Sequence, residues 1–176
     1  MKYIRGILKI DNVDDIIKKY DLKDKGDFAF YDLIYVNKNG ASITEDTLKI
    51  RVYQINHWDC KNVLVIRKVA PLINGSKEDK VLLRKEFDNE EEAIKFVNDN
   101  YLNEYKFAFK LQKSGMQYGN EKIDLWKEDV LGIGLSVEVG SEDENLLEKV
   151  FNSLDLKERL TMSLPEYMYE KIGTNE

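Results

Sequence analysis

Between Lys106 and Val139 the chain alternates apolar and polar residues in three successive runs, and this pattern limits the fold more than any other stretch. The runs cover 106–113, 121–127 and 133–139. In the first, Phe107, Phe109 and Leu111 stand against Lys106, Lys110 and Gln112. In the last, Ile133, Leu135, Val137 and Val139 stand against Gly134, Ser136 and Glu138. A period of two sends alternate side chains to opposite faces, so each run predicts a strand with one buried face.

The same reading extends along the chain. Strands are expected at 3–10, 28–36, 48–54, 63–68 and 80–87, with polar loops at 21–27, 55–62 and 71–79 and a turn at Asn37-Lys38-Asn39-Gly40. Residues 11–20 read as a helix with Asp11 or Asn12 as cap, Asp14 and Asp15 in the first turn, and Val13, Ile16, Ile17 and Tyr20 as its stripe. A second helix at 90–102 carries Ala93, Phe96, Val97 and Leu102. A third at 142–154 carries Leu146, Leu147, Val150, Phe151 and Leu154. Alternating strands, three helices and no βαβ rhythm predict an α+β fold with an antiparallel sheet or barrel.

Length and charge bound what such a chain does. Its 176 residues suit one domain. No apolar run reaches the ~20 residues of a membrane span, and the charged opening MKYIRGILKI does not read as a signal peptide. The single cysteine, Cys60, excludes an internal disulfide and suits a reducing cytoplasm; with one histidine it also falls short of a structural zinc set. A net charge of −6 argues against a general nucleic-acid surface, though not against a local basic cavity.

Several segments, in order, resemble those of the CYTH family, the triphosphate tunnel metalloenzymes that include class IV adenylyl cyclases and thiamine triphosphatases. DVLGIGLSVEV (129–139) is similar to the family's "egLGxFxEIE" segment. Leu48-Lys49-Ile50-Arg51 resembles its "LRiR" strand, and Arg67 stands where a lysine is usual. Arg84 and Glu86 match its "RxE" strand, and Ser163 and Tyr167 lie near the places of its terminal "SYxxLL". The resemblance implies a closed antiparallel tunnel of about eight strands with helices outside and a phosphorylated ligand within. It implies phosphate-binding roles for Lys9, Arg51, Arg67 and Arg84. Lys49 and Lys110 join them on the polar faces of the expected strands.

At the metal site the chain departs from the family. The leading "ExExK" aligns with Arg5-Gly6-Ile7-Leu8-Lys9, so both glutamates are gone, and "ExE" has become Ser136-Val137-Glu138. The family aspartate ahead of "LG" aligns with Trp126, leaving Asp124 as the nearest carboxylate of the same parity. Glu138 with Asp124 or Glu86, helped by substrate phosphates, is the remaining way to hold Mg²⁺ or Mn²⁺ weakly; no tightly bound metal is expected. The "KxRxxY" strand aligns with Lys113-Ser114-Gly115-Met116-Gln117-Tyr118, whereas strand alternation favours Lys110 over Lys113 on the polar face, and both registers stay open.

Catalytic residues are therefore not assigned. The leading expectation is a diverged, cytoplasmic CYTH-like domain binding a triphosphate or nucleotide in a basic cavity. One alternative is an active metal-dependent triphosphatase or cyclase, and another is a protein-interaction domain using the fold alone. His57-Trp58-Asp59-Cys60 reads as a surface loop rather than a Cys–His nucleophile pair. Gly132-Ile133-Gly134 lacks the third glycine and the helix of a dinucleotide fingerprint and reads as a strand start. Glu90-Glu91-Glu92 is a helix N-terminus rather than a metal site.

Overall fold

The computed structural model describes residues 1–43, 45–55, 63–69, 72–73, 76–77 and 80–174. His57, Trp58, Asp59 and Cys60 lie outside the described residues. The architecture is α+β, and the chain divides into two compact units, Met1–Ala29 with Lys113–Met162, and Phe30–Gln112 with Ser163–Glu176.

The first unit contains β1 (Lys2–Leu8), α1 (Val13–Lys19) and the start of β2 (Lys23–Asn37). The second holds the rest of β2, then β3 (Asp46–Tyr53), β4 (Val63–Val69), β5 (Leu72–Ile73), β6 (Ser76–Lys77), β7 (Lys80–Phe87), α2 (Glu90–Tyr101) and the first part of β8 (Tyr105–Gly119). The chain then re-enters the first unit for the end of β8, β9 (Ile123–Val130), β10 (Gly134–Ser141), α3 (Glu144–Asn152) and β11 (Leu156–Leu160), and α4 (Leu164–Thr174) closes the second. Hydrogen bonding links nine strands into one antiparallel sheet in the order β11-β1-β10-β9-β8-β2-β3-β4-β7, while β5 and β6 pair separately. Among the described residues β11 and β7 end that order and do not pair with each other.

In the first unit, register sets one apolar and one polar face. Ile4 pairs with Val139, which pairs with Leu125, so these three share a face. That face packs on α1 and α3 through Val13, Ile16, Leu147, Val150 and Phe151, all buried. The α3 N-terminus is capped by Asp143, whose carboxylate accepts from the N–H groups of Asn145 and Leu146. At α1 the work divides: Asp11 accepts from the Val13 N–H at 3.2 Å, while Asn12 bonds the backbone of Ser153 and Asp155.

The second unit buries Tyr35, Leu48, Ile50, Val63, Val65 and Tyr105 beneath Ala93 and Val97 of α2. The expected turn forms after β2, with Asn37 Oδ1 accepting from the Asn39 N–H at 2.7 Å and Gly40 at a φ of +89°.

Three stretches differ from the sequence expectation. Most of the polar segment expected as a loop over 21–27 supplies the first residues of β2 instead, starting at Lys23. LKERL (156–160) is a strand, pairing with β1 despite its three charged residues, because an exposed outer strand needs no apolar face. The tail forms α4, with the Ser163 hydroxyl accepting from the Glu166 N–H at 3.3 Å.

Candidate functional site

In the second unit, strand register decides which of the expected phosphate ligands meet. Arg51 pairs with Asp32 on β2 and with Leu64 on β4, which pairs in turn with Glu86 on β7. Lys49 pairs with Ile66, which pairs with Arg84. Lys49, Arg51, Arg84 and Glu86 therefore share one face, opposite to the α2 core. With strands about 4.8 Å apart, the Cα atoms of Lys49 and Arg84 stand about 10 Å apart, within reach of a common anion for two long side chains.

Asp32, 2% exposed, anchors this face. It accepts both Nε (2.8 Å) and an Nη (3.0 Å) of Arg51, and Lys49 Nζ lies 3.8 Å away. Arg51 also stacks on Phe30 at 3.9 Å from the ring centroid. Burial works against the guanidinium charge, but Asp32 and the Tyr53 hydroxyl outweigh it and hold the pKa above its ordinary value. Two of its five N–H donors serve Asp32, which fixes the fork's orientation.

Arg67 and Lys110 belong to the other face, contrary to the expectation that they join Arg51. Arg67 pairs with Leu48 and so points to the α2 side, where it forms an ion pair with Asp46 at 3.8 Å and lies over the rings of Tyr101 and Tyr105. Asp46 is itself held by the Tyr105 hydroxyl at 2.7 Å, and burial with that hydrogen bond pushes the Tyr105 pKa up to about 12. The residue that reaches the Arg51 face is Lys68, through its pairing with Thr47. Lys110 sits 4.0 Å from the ring centroid of Tyr31, whose hydroxyl donates to Glu90 at the start of α2. Phe107 meets Tyr35 on that same side, so the alternation of β8 breaks once between residues 107 and 110.

A cavity of about 400 Å³ in this unit has Lys38, Lys106, Glu166 and Glu170 among its lining residues. None of the expected phosphate ligands is among its lining residues.

The polar face of the first unit holds a compact charge cluster. Arg5 pairs with Glu138 across β1 and β10 and donates through one Nη to Glu138 at 2.5 Å and through the other to Glu128 at 2.6 Å. The second oxygen of Glu128 accepts from Lys113 Nζ at 3.2 Å. Glu128 is 3% exposed. Burial pushes its carboxyl up, but Lys113 and Arg5 together outweigh that and hold it below the usual carboxylate range. The same carboxylates overcome burial at Arg5 and raise its pKa. Beside them Ser136, fully buried, has its Oγ without a hydrogen-bond partner.

The remaining expected ligands do not complete a metal site. Asp124 shares the face of Glu138 but bonds Lys25 at 3.3 Å, and its register partner is Gly140. Glu86 is exposed on β7 in the second unit. Lys9 is exposed in the bend after β1, its N–H donating to the Asp155 carbonyl. Among the described residues no three acidic, histidine or cysteine side chains gather as a metal site. The two carboxylates that do converge, Glu128 and Glu138, already share a guanidinium. A divalent ion about 4 Å from it would be repelled by about 8 kcal/mol at an effective dielectric near 20. The residues present do not fit a divalent metal.

Sequence reasoning missed Glu128, Lys113's role and Lys68. The parity of Asp124 and Trp126, continued two residues further, leads to Glu128; ending the run at 127 concealed it.

No family model matches the chain, and no curated protein does. Solved structures do. The PH1819 protein from Pyrococcus horikoshii OT3 matches with a TM-score of 0.69 at 14% identity over 100% of both chains. A candidate adenylate cyclase from Vibrio parahaemolyticus matches at 0.63 and 13% identity over 95% of this chain and 96% of its own. HpAC1 from Hippeastrum, a candidate adenylyl cyclase described as having a dominant triphosphatase activity, matches at 0.60 and 13% identity over 96% and 94%. At these identities the likeness concerns the fold alone, which this chain shares with proteins described as candidate adenylate cyclases.

Proposed function

We propose that this chain, read as one CYTH-like domain over residues 1–176, binds a phosphorylated anion, a triphosphate or nucleotide, and does not turn it over. The observation that carries this reading is the face bearing Lys49, Arg51, Lys68 and Arg84 against Asp32 and Glu86 as its acidic residues among the described strand positions. Such a surplus of cations favours a polyanion, and the arginine forks suit phosphate oxygens. The structural neighbours described as cyclases or a triphosphatase support the same ligand class. The closed tunnel implied by the family resemblance belongs to this proposal, as does a cytoplasmic location. Among the described residues no helix is long and apolar enough to cross a membrane.

Binding without turnover is favoured over a metal-dependent hydrolase or cyclase because Arg5 engages both Glu128 and Glu138. In-line phosphoryl transfer needs metal ions held against the phosphates, and on the cationic face of the second unit Arg51 already engages Asp32, which leaves Glu86 as the one other acidic residue among the described strand positions.

The test is a thermal-shift screen with inorganic triphosphate, ATP, thiamine triphosphate and cyclic nucleotides, with and without Mg²⁺ or Mn²⁺. A ligand present at 100 times its dissociation constant stabilises by about 2.7 kcal/mol, a clear rise in Tm. If no phosphorylated compound stabilises the protein, the anion reading fails and the interaction-domain reading takes its place. Release of phosphate or of a cyclic nucleotide would instead establish an enzyme.

A further inference from the structure

We propose that Arg5 is a built-in cation: its guanidinium stands in for a metal ion between Glu128 and Glu138, and thereby closes this site to divalent metals. The assignment rests on four observations within the first unit, and it holds whether or not the second unit binds an anion.

The guanidinium touches both carboxylates, at 2.6 and 2.5 Å, through different nitrogens. It is thus a bridge between two anions rather than the partner of one. The cluster is also charge-balanced as built, Arg5 and Lys113 against Glu128 and Glu138. Without Arg5, two carboxylates would face one ammonium in a place where Glu128 is almost wholly buried, an arrangement that requires a compensating cation. With Arg5 present, a divalent ion would carry the cluster to a net +2. Finally, the buried Ser136 Oγ lacks a hydrogen-bond partner on this face, two residues from Glu138 along β10 and directly across from Glu128. The surroundings are therefore rich in oxygen and suited to a hard cation once the guanidinium is gone.

One residue among those that depart from the family pattern acts in two ways. Where the family resemblance expects a carboxylate on β1, Arg5 removes a ligand and also supplies positive charge. Reversing that change should restore metal binding in an otherwise unaltered chain.

The experiment compares Mn²⁺ binding by the wild type, Arg5→Lys, Arg5→Gln, Arg5→Glu and the double variant Arg5→Glu/Glu138→Gln. Electron paramagnetic resonance counts free Mn²⁺, and thermal unfolding is recorded in EDTA and in millimolar Mn²⁺. No phosphate is present, so the result is independent of the anion reading. The wild type and Arg5→Lys should take up no Mn²⁺ and show the same Tm in both buffers. Arg5→Gln and Arg5→Glu should bind Mn²⁺ at least ~10-fold more tightly than the wild type and gain Tm with it. The double variant should lose most of that gain. If Arg5→Glu fails to fold in EDTA, recovery of a cooperative transition with Mn²⁺ supports the proposal. Failure to recover, with Arg5→Gln binding no better than the wild type, overturns it. So does a wild type that binds Mn²⁺ as tightly as Arg5→Gln.

Discussion

Glu128 should govern how the first unit responds to acid. Its folded pKa is depressed, so the stability it contributes is fully present above the unfolded carboxylate value near 4.3 and is lost as pH falls through the lower folded value. Glu128→Gln leaves Arg5 and Lys113 short of a buried counter-charge and should cost about 3 kcal/mol at neutral pH. Urea unfolding at neutral pH and again below pH ~4 checks this, because the deficit should shrink once the wild-type carboxylate is protonated. An equal deficit in both conditions would count against the electrostatic account. In the second unit, Arg51→Ala and Arg84→Ala should each weaken triphosphate binding by roughly 1.5–3 kcal/mol, and Lys68→Ala should weaken it as well. Arg67→Met should leave affinity unchanged while lowering Tm, since Arg67 pairs with Asp46 on the opposite face. Calorimetric titration of the four variants separates these outcomes, and an affinity loss confined to Arg67→Met would reverse the face assignment.

Strands carry the second lesson. β3 was legible because Leu48, Ile50 and Val52 alternate with Lys49 and Arg51, and parity alone put Lys49 with Arg51 and, on β7, Arg84 with Glu86. Which parity of β4 faces them was not legible. Arg67 and Lys68 are adjacent, and only pairing with β3 shows that Lys68 shares the polar face. β8 was left in two registers for a different reason: its alternation breaks between Phe107 and Lys110, and a period-two reading carried through that break puts Lys110 on the wrong side. β11 and the start of β2 escaped notice because their charged sequences lack an apolar face. The close approach of β8 to β9 gives a direct check on the observed register. Gly115 pairs with Glu128, and a Cβ added there would lie 1.9 Å from the Lys127 carbonyl oxygen. Gly115→Ala should therefore destabilise by at least ~2 kcal/mol, as overpacking does, in a denaturant melt. A neutral substitution would show that the strands do not meet in this register. At α3, Asp143→Ala should cost about 1 kcal/mol for the lost cap, a smaller effect measurable in the same melts.

For the molecule as a whole, the order of weak motifs revealed the fold more fully than it revealed the chemistry. LKIR at 48–51, RKE at 84–86 and SVE at 136–138 are each short, yet their order along the chain suggested a resemblance whose fold the similar solved structures share. That positions 5 and 7 carry Arg and Ile, where the family resemblance implies glutamates, was equally legible. What Arg5 does there was not, because its partnership with Glu128 joins residues 123 apart in sequence and depends on β1, β10 and β9 lying side by side. The proposed metal-free anion binding rests on two features of a chain with net charge −6: cations gathered on one face of β3, β4 and β7, and a guanidinium between two carboxylates. Isothermal titration of the wild-type protein with inorganic triphosphate, in EDTA and then in Mg²⁺, tests that claim most directly. The account predicts saturable binding in EDTA that Mg²⁺ does not strengthen. Binding that appears only when Mg²⁺ is added, or none in either buffer, would contradict it.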